Sequence, residues 1–373
     1  MHDHKPGNGF PKLHIDIGTV HHPSITRRQF NLATMAAAMS VSGLLPSVAN
    51  AAKPSRHTII KPAALKRGNL IGLIAPSGAT TTEAVERCVK NLEAFGMRVK
   101  VSKNILATRG NTAGTVAERV ADIHAMFLDR EVKAVWAARG GSGCSQLLPF
   151  LDYKLIRQHP KILVGYSDIT ALHLALFRQA GLVSFHGPVA SSSFSDYAAT
   201  QLEAVLMHPR RETTIYMSAN NQSQAQTADE FRIRTFRHGI AEGRLIGGNL
   251  AVLAALVGTP YAADWQDALL FLEDIREAPY RIDRMLTQLK QSQSFARAAG
   301  IMLGVFRRSN APDGDPSLTL EQTLDDHFAT LTKPAVYGYS FGHIPQQFTI
   351  PVGIRARLDT RTETLTLLEP AVI

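Results

Sequence analysis

Apolar residues in this chain fall into two alternating patterns: short, mainly apolar runs, and longer stretches where they recur every three or four positions. Stretches of strand length occupy 69–75 (NLIGLIA), 97–101, 132–138, 162–164 and 183–189, with 70–75 and 162–164 the most continuously apolar. Runs of this length fit strands buried on both faces. Between them, 83–95 places Ala84, Val85, Cys88, Val89 and Leu92 at helical spacing and closes at Gly96; 117–128 does the same with Val120, Ile123, Phe127 and Leu128. Strands alternating with helices predict a parallel α/β sheet, whose ligand crevice lies at the carboxyl ends of the strands.

Downstream the pattern changes. Residues 191–238 are polar, least regular at 220–224 (NNQSQ), and read as a connection with a few edge strands. Residues 243–256 (GRLIGGNLAVLAAL) start with glycines and become helical. A buried strand at 268–272 ends in Glu273-Asp274, and 280–289 is amphipathic through Ile282, Met285, Leu286 and Leu289. Apolar strands follow at 300–305 and 335–339, the second running into Ser340-Phe341-Gly342-His343. The tail alternates apolar and polar over 354–358 and 362–368, a hairpin signature.

The window 161–177 (KILVGYSDITALHLALF) joins a buried run to an apolar helical face through Gly165-Tyr166-Ser167-Asp168. A serine on a tight strand-to-helix turn has its hydroxyl lifted clear of the sheet, beside free N–H groups at the helix start. The window alone suits a helix cap better than a nucleophile, because Ile169 stands where G-x-S-x-G has its second glycine.

Charge and composition narrow the classes. With 45% apolar and 19% charged residues, the 373-residue chain is globular and long enough for two cores. Its net charge of +9 divides into +2 within residues 1–51 and +7 in the remainder. That balance suits an anionic surrounding, but no Lys/Arg cluster is interleaved with aromatics, which argues against nucleic acid. Cys88 and Cys144 make neither a metal-ligand spacing nor a disulfide framework and read as packed thiols. No metal centre or other cofactor is expected.

Residues 24–51 have the order of a twin-arginine export signal: Arg27-Arg28, Phe30, an alanine-rich run too short and weak to span a membrane, then Ala49-Asn50-Ala51 as a cleavage site. The expectation is a periplasmic protein, exported folded, with a mature chain from about residue 52 and no stable membrane insertion.

Ser167, Glu273 and His343 occur in the order Ser, acid, His. A serine hydroxyl needs a base at neutral pH; histidine suits that task, and a carboxylate on its far nitrogen holds the tautomer and stabilises the imidazolium. His173 and His186 compete for the base. His173 is expected along the surface of the helix leaving Ser167, and His186 in a structural or substrate-side position. Asp274 is the neighbour that could be confused with Glu273. Arg139, in the glycine-rich 139–143, either anchors its own loop or binds a substrate carboxylate.

Taken together, the motifs resemble the LD-carboxypeptidase family, which includes microcin C immunity-type serine hydrolases. The resemblance runs from about residue 69 to the C-terminus. It is carried by IGLIAPSG (71–78), ARGGSG (138–143), LLPFLDY (147–153), GYSDITALH (165–173), FHGP (185–188), GGNL with GTP (247–260), LEDIREAPYRIDRMLTQL (272–289) and GHIPQQFTIPVG (342–353). It implies a glutamine-amidotransferase-like, Rossmann-like parallel sheet over 52–190, a linker region over 191–240, and a mixed α/β domain with a β-barrel-like sheet over 241–373.

The resemblance also implies Ser167 as nucleophile, Glu273 as acid, His343 as base, and the N–H groups of Gly141 and Asp168 as oxyanion donors. Arg139, Gly140 and Ser142 would face the substrate. The family usually reads RGGYGxxR; here Ser142 replaces the tyrosine and Gln146 the arginine, so the substrate end of the cleft departs from the pattern. The implied activity is removal of the terminal D-alanine from peptidoglycan tetrapeptide stems. An amidase for peptidyl-nucleotide antibiotics and a non-catalytic wall-peptide binder are the alternatives, and a homodimer is open because the family is often dimeric. A dinucleotide-binding oxidoreductase is disfavoured, since RGGSG lacks the G-x-G-x-x-G spacing.

Overall fold

A computed structural model of the chain describes residues 58–373 apart from 293 and 313. The export segment 24–51 and the cleavage point lie outside the described residues. The first half alternates as its apolar pattern requires: β1 (Leu70–Ile74), α1 (Thr82–Ala94), β2 (Arg98–Val101), α2 (Val116–Leu128), β3 (Val132–Ala137), α3 (Tyr153–Gln158), β4 (Ile162–Gly165), α4 (Thr170–Ala180) and β5 (Ser184–His186). Side-chain caps set the helix starts. Thr81 Oγ1 accepts from the Ala84 N–H, and Thr115 with Glu118 forms a reciprocal capping box on α2. Gly181, at φ +68°, closes α4.

The chain continues through α5 (Asp196–Leu206), β6 (Thr213–Tyr216), α6 (Ala219–Gln224), β7 (Arg234–Arg237), β8 (Ile240–Asn249), α7 (Leu250–Leu256), β9 (Ala268–Glu273), α8 (Pro279–Gln291), α9 (Ser294–Arg297) and β10 (Gly300–Val305). It ends with α10 (Leu320–Phe328), β11 (Ala335–Gly342), β12 (Ile350–Val352), β13 (Arg355–Asp359) and β14 (Thr364–Leu367).

Two sheets result. The first has the order β12-β5-β4-β3-β1-β2 and is parallel from β2 to β5. The second has the order β6-β14-β13-β8-β9-β10-β11-β7, with β8 to β11 parallel in its middle and antiparallel strands on either side. The barrel-like sheet expected from the resemblance is an open sheet whose edges, β6 and β7, come from the polar 191–238 stretch. One large apolar core runs through both sheets.

Two local readings change. The glycine-led start of 243–256 is the strand β8, and only 250–256 is helical. Its glycines are there for close approach: a Cβ on Gly247 would lie 1.8 Å from the Phe271 carbonyl oxygen on β9. Strand β12, which the apolar pattern did not mark, pairs antiparallel with β5 through Ile350 and His186. The chain thus returns from the second sheet to add an edge to the first.

Candidate active site

Strand β4 ends at Gly165 and the chain turns sharply into a 3-10 turn over Ser167–Ile169 and then α4. Gly165 is required here, since a Cβ would lie 2.9 Å from the Ile169 side chain. Ser167 takes φ +64°, in the left-handed region. For a non-glycine residue that conformation costs roughly 1–2 kcal/mol and persists where packing imposes it. The cap reading of the isolated window fails: the Ser167 hydroxyl caps no helix N–H, and neither the 3-10 turn nor α4 has a side-chain cap. Asp168 turns its carboxylate the other way, accepting from Ser77 Oγ at 2.6 Å and from the Cys144 N–H at 2.9 Å.

Asp168 therefore ties the elbow to the loop 139–143 that follows β3. This loop packs against the serine so closely that a Cβ on Gly140 would lie 2.9 Å from Ser167 Cβ and 3.1 Å from its Oγ. Gly141 has φ +139°, and its N–H donates to no acceptor among the described residues. Arg139 donates to the carbonyls of Gly140 at 3.2 Å and Ala79 at 2.9 Å, which is the loop-anchor geometry. Ser142 Oγ accepts from Asn111 Nδ2 at 2.6 Å. Beneath the loop lies Arg119, buried, donating to the carbonyls of Pro76 and Gly143 and, at 3.0 Å, to Gln146 Oε1. An arginine at 146 would set two cations face to face; glutamine supplies an acceptor instead.

The second sheet contributes the other half. Glu273 ends β9, wholly buried, and its Oε2 is 2.7 Å from His343 Nδ1 just beyond β11. Burial pulls the His343 imidazole down, but the charge and hydrogen bond of Glu273, with Asp274 behind, outweigh it and hold the ring above its ordinary pKa. Burial would likewise raise Glu273, yet the His343 charge and hydrogen bond bring its carboxyl below the usual value. Tyr166 packs edge-on against His343, ring centroids 4.8 Å apart, fixing the imidazole beside the elbow. Ser167 Oγ and His343 are not hydrogen-bonded; contacts of this kind commonly tighten only with substrate in place.

The rival residues have other partners. His173 is fully buried rather than on a helix surface, its two nitrogens held by Ser184 Oγ and the Gly165 carbonyl, each at 2.8 Å. His186 is buried among Tyr166, Phe271 and Phe341. Asp274 accepts from Asn249 Nδ2 and from the N–H groups of Ala251 and Ile275, organising the start of α7. Cys88 and Cys144 are free, buried thiols, and burial pushes both pKa values up. Among the described residues no cluster of His, Cys, Asp and Glu could hold a metal. Asn249, Arg119 and Tyr166 escaped the sequence reading. Only Tyr166 had a local signal, its place inside GYSD.

A two-sheet α/β protein with a strained serine elbow on one sheet and a buried carboxylate–imidazole pair on the other is arranged as a hydrolase. Residues 71–187 match the LD-carboxypeptidase N-terminal domain and residues 242–358 the LD-carboxypeptidase C-terminal domain. A probable murein peptide carboxypeptidase of Bacillus subtilis is 39% identical over 304 residues, 82% of this chain and 93% of the relative. The chain belongs to the LD-carboxypeptidase family and is a peptidase. Among solved structures, muramoyltetrapeptide carboxypeptidase from Oxalobacter formigenes aligns with TM-score 0.69 and 31% identity over 80% of this chain and 98% of that one. The microcin C7 self-immunity protein MccF in its wild-type apo state shares the fold at TM-score 0.76 and 24% identity, over 84% of this chain and all of that one.

Proposed function

We propose that this protein is a serine LD-carboxypeptidase that removes the terminal D-alanine from peptidoglycan-derived tetrapeptides. The observation that carries the reading is the Glu273–His343 hydrogen bond, 2.7 Å long, set beside the left-handed Ser167. His343 Nε2 takes the Ser167 proton as Oγ attacks the carbonyl between the diamino acid and D-alanine. The oxyanion forms against the N–H groups of Gly141 and Asp168, preorganised donors of the kind that stabilise such intermediates. His343 then protonates the leaving amine, D-alanine departs, and an ester joins the tripeptide to Ser167. Water, deprotonated by His343, hydrolyses that ester and restores the serine.

The names of the relatives support the substrate class. The twin-arginine pattern of residues 24–51 supports work in the periplasm, which a fusion of this segment to a folded reporter tests by fractionation.

Incubation of the purified protein with tetrapeptide muropeptides should release D-alanine, with Ser167→Ala lowering the rate by roughly 10,000-fold or more. Absence of release from free and glycan-linked tetrapeptides, with turnover of an aminoacyl nucleotide instead, rejects the substrate assignment. Equal activity in Ser167→Ala rejects the mechanism.

A further inference from the structure

Strands β9 and β10 are parallel neighbours, Leu272 level with Leu303, and their pairing continues past the carboxyl ends. Ile275 bridges to Arg307, the Arg307 N–H donates to the Asp274 carbonyl at 3.2 Å, and the Arg276 N–H donates to the Arg307 carbonyl at 2.8 Å. This register sets the backbones of Arg276 and Arg308 next to each other, just past the carboxyl ends of β9 and β10, and Glu273 and His343 stand at the ends of β9 and β11 in the same sheet. Both adopt left-handed backbone, φ +58° and +53°, although neither is glycine.

The two side chains are exposed, and among the described residues neither guanidinium has a hydrogen bond or an ion pair. Arg307, the residue before Arg308 and level with Ile275, is the opposite case: it pairs with Glu230 and its guanidinium lies 5.0 Å from the Phe231 ring centre. The other Glu230 oxygen accepts the Arg308 N–H at 2.9 Å, so a carboxylate clamps the backbone that bears the strain. Strained residues and neighbouring like charges both oppose folding, and such strain concentrates at ligand clamps.

We infer that Arg276 and Arg308 form a paired-guanidinium site for a free carboxylate of an anionic peptide, at the mouth of the Glu273–His343 cleft. The inference rests on the peptidase reading for its ligand class. Guanidinium forks match carboxylates with two parallel hydrogen bonds, and two forks at one rim select peptides by their acidic groups before any bond is cleaved. Arg276 and Arg308 are specificity residues in this account and touch no reacting atom.

The test uses glycine, which accepts the left-handed backbone without strain. Binding of the free-acid tetrapeptide and of its C-terminal and side-chain amides is measured by calorimetry in Ser167→Ala, alone and combined with Arg276→Gly or Arg308→Gly. Each glycine is expected to weaken free-acid binding at least tenfold at low salt, to leave the fully amidated peptide within threefold, and to keep or raise Tm. Arg276→Lys should recover part of the loss.

Free-acid affinity unchanged in both glycine variants, no binding of the free acid by the parent, or equal losses for acid and amide would each overturn the inference. Labelling of Ser167 by a fluorophosphonate is followed in the enzymes that retain the serine. No labelling of the wild type counts against the serine-hydrolase reading and leaves the binding comparison intact.

Discussion

Ser167 sits in a backbone conformation that serine avoids, with Gly140 pressed against its Cβ side and Tyr166 placing His343 next to it. The chemistry at this scale turns on the protonation of one ring. In the proposed mechanism only neutral His343 accepts the serine proton, and Glu273 holds that ring's pKa above its ordinary value of 6.5. The rate should therefore rise with pH through an acid limb above 6.5 and flatten beyond it. Glu273→Gln removes the charge that raises the ring, so the limb should move to lower pH while kcat/KM falls by roughly 1,000- to 10,000-fold. A pH profile of kcat/KM for both proteins checks the sign as well as the size. An unmoved limb would mean that Glu273 does not set the basicity of His343. The pairing of Glu273 rather than Asp274 with His343 was expected from the family motif. In the fold, β9 ends with Glu273 turned to the imidazole and Asp274 turned to the start of α7.

At the scale of elements, the two halves of the site are held in register where β8 ends against the first turn of α4. The Asn249 N–H donates to Thr170 Oγ1 at 3.0 Å, three residues beyond Ser167. Gly248 makes the approach feasible: it has φ +142°, and a Cβ there would lie 2.4 Å from Thr170 Oγ1. Gly248→Ala should destabilise the protein by about 2–4 kcal/mol through overpacking and backbone strain together. Thr170→Ala in the same chain should recover only the steric part. Urea unfolding of the two variants separates the contributions, and a Gly248→Ala protein as stable as wild type would show that the contact is slack. The glycines of 243–248 were the least readable part of the sequence, because a glycine that opens a helix and a glycine that lets two strands meet look alike in a single chain. Strand β12 was invisible for a related reason. Three residues carry no period, and only β5 beside them makes them a strand.

Across the whole molecule, the core encloses ionisable groups whose titration couples folding to pH. Burial pushes His173 down to about 3 and His186 to about 4, while burial and the Glu273 charge push Asp274 up to about 7. Between pH 6.5 and 5 the unfolded chain protonates both histidines and the folded chain neither. Each ring therefore withdraws about 2 kcal/mol of stability as pH falls over that window. Asp274 has the reverse sign: its folded form keeps the proton that the unfolded form releases above pH 3.8, so falling pH returns about 2 kcal/mol. Asp274→Asn should therefore lose about 2 kcal/mol more than the wild type between pH 6.5 and 5. Urea midpoints at the two pH values decide it; equal slopes for the two proteins would remove Asp274 from the account.

Alternation of buried runs with amphipathic stretches was enough to define a parallel α/β sheet, because burial on both strand faces and on one helix face imposes those periods on any sequence. Order and spacing of short motifs were enough to single out Ser167, Glu273 and His343. What stood outside the chain's local pattern is everything that depends on which surfaces meet. The turn 165–168 taken alone read more readily as a helix cap, and the motifs around it pointed instead to Ser167 as nucleophile; the fold adds φ +64° at Ser167, with Asp168 pulled away to Ser77 and Cys144. His173 changed from a surface ring to a buried one. Arg119 emerged as the support of the glycine loop through its own contacts, which span 24 or more positions. A sequence records which side chains prefer burial or a given backbone, but hydrogen bonds, close approaches and electrostatic fields are set by distances between strands. Those distances exist only once the two sheets have packed.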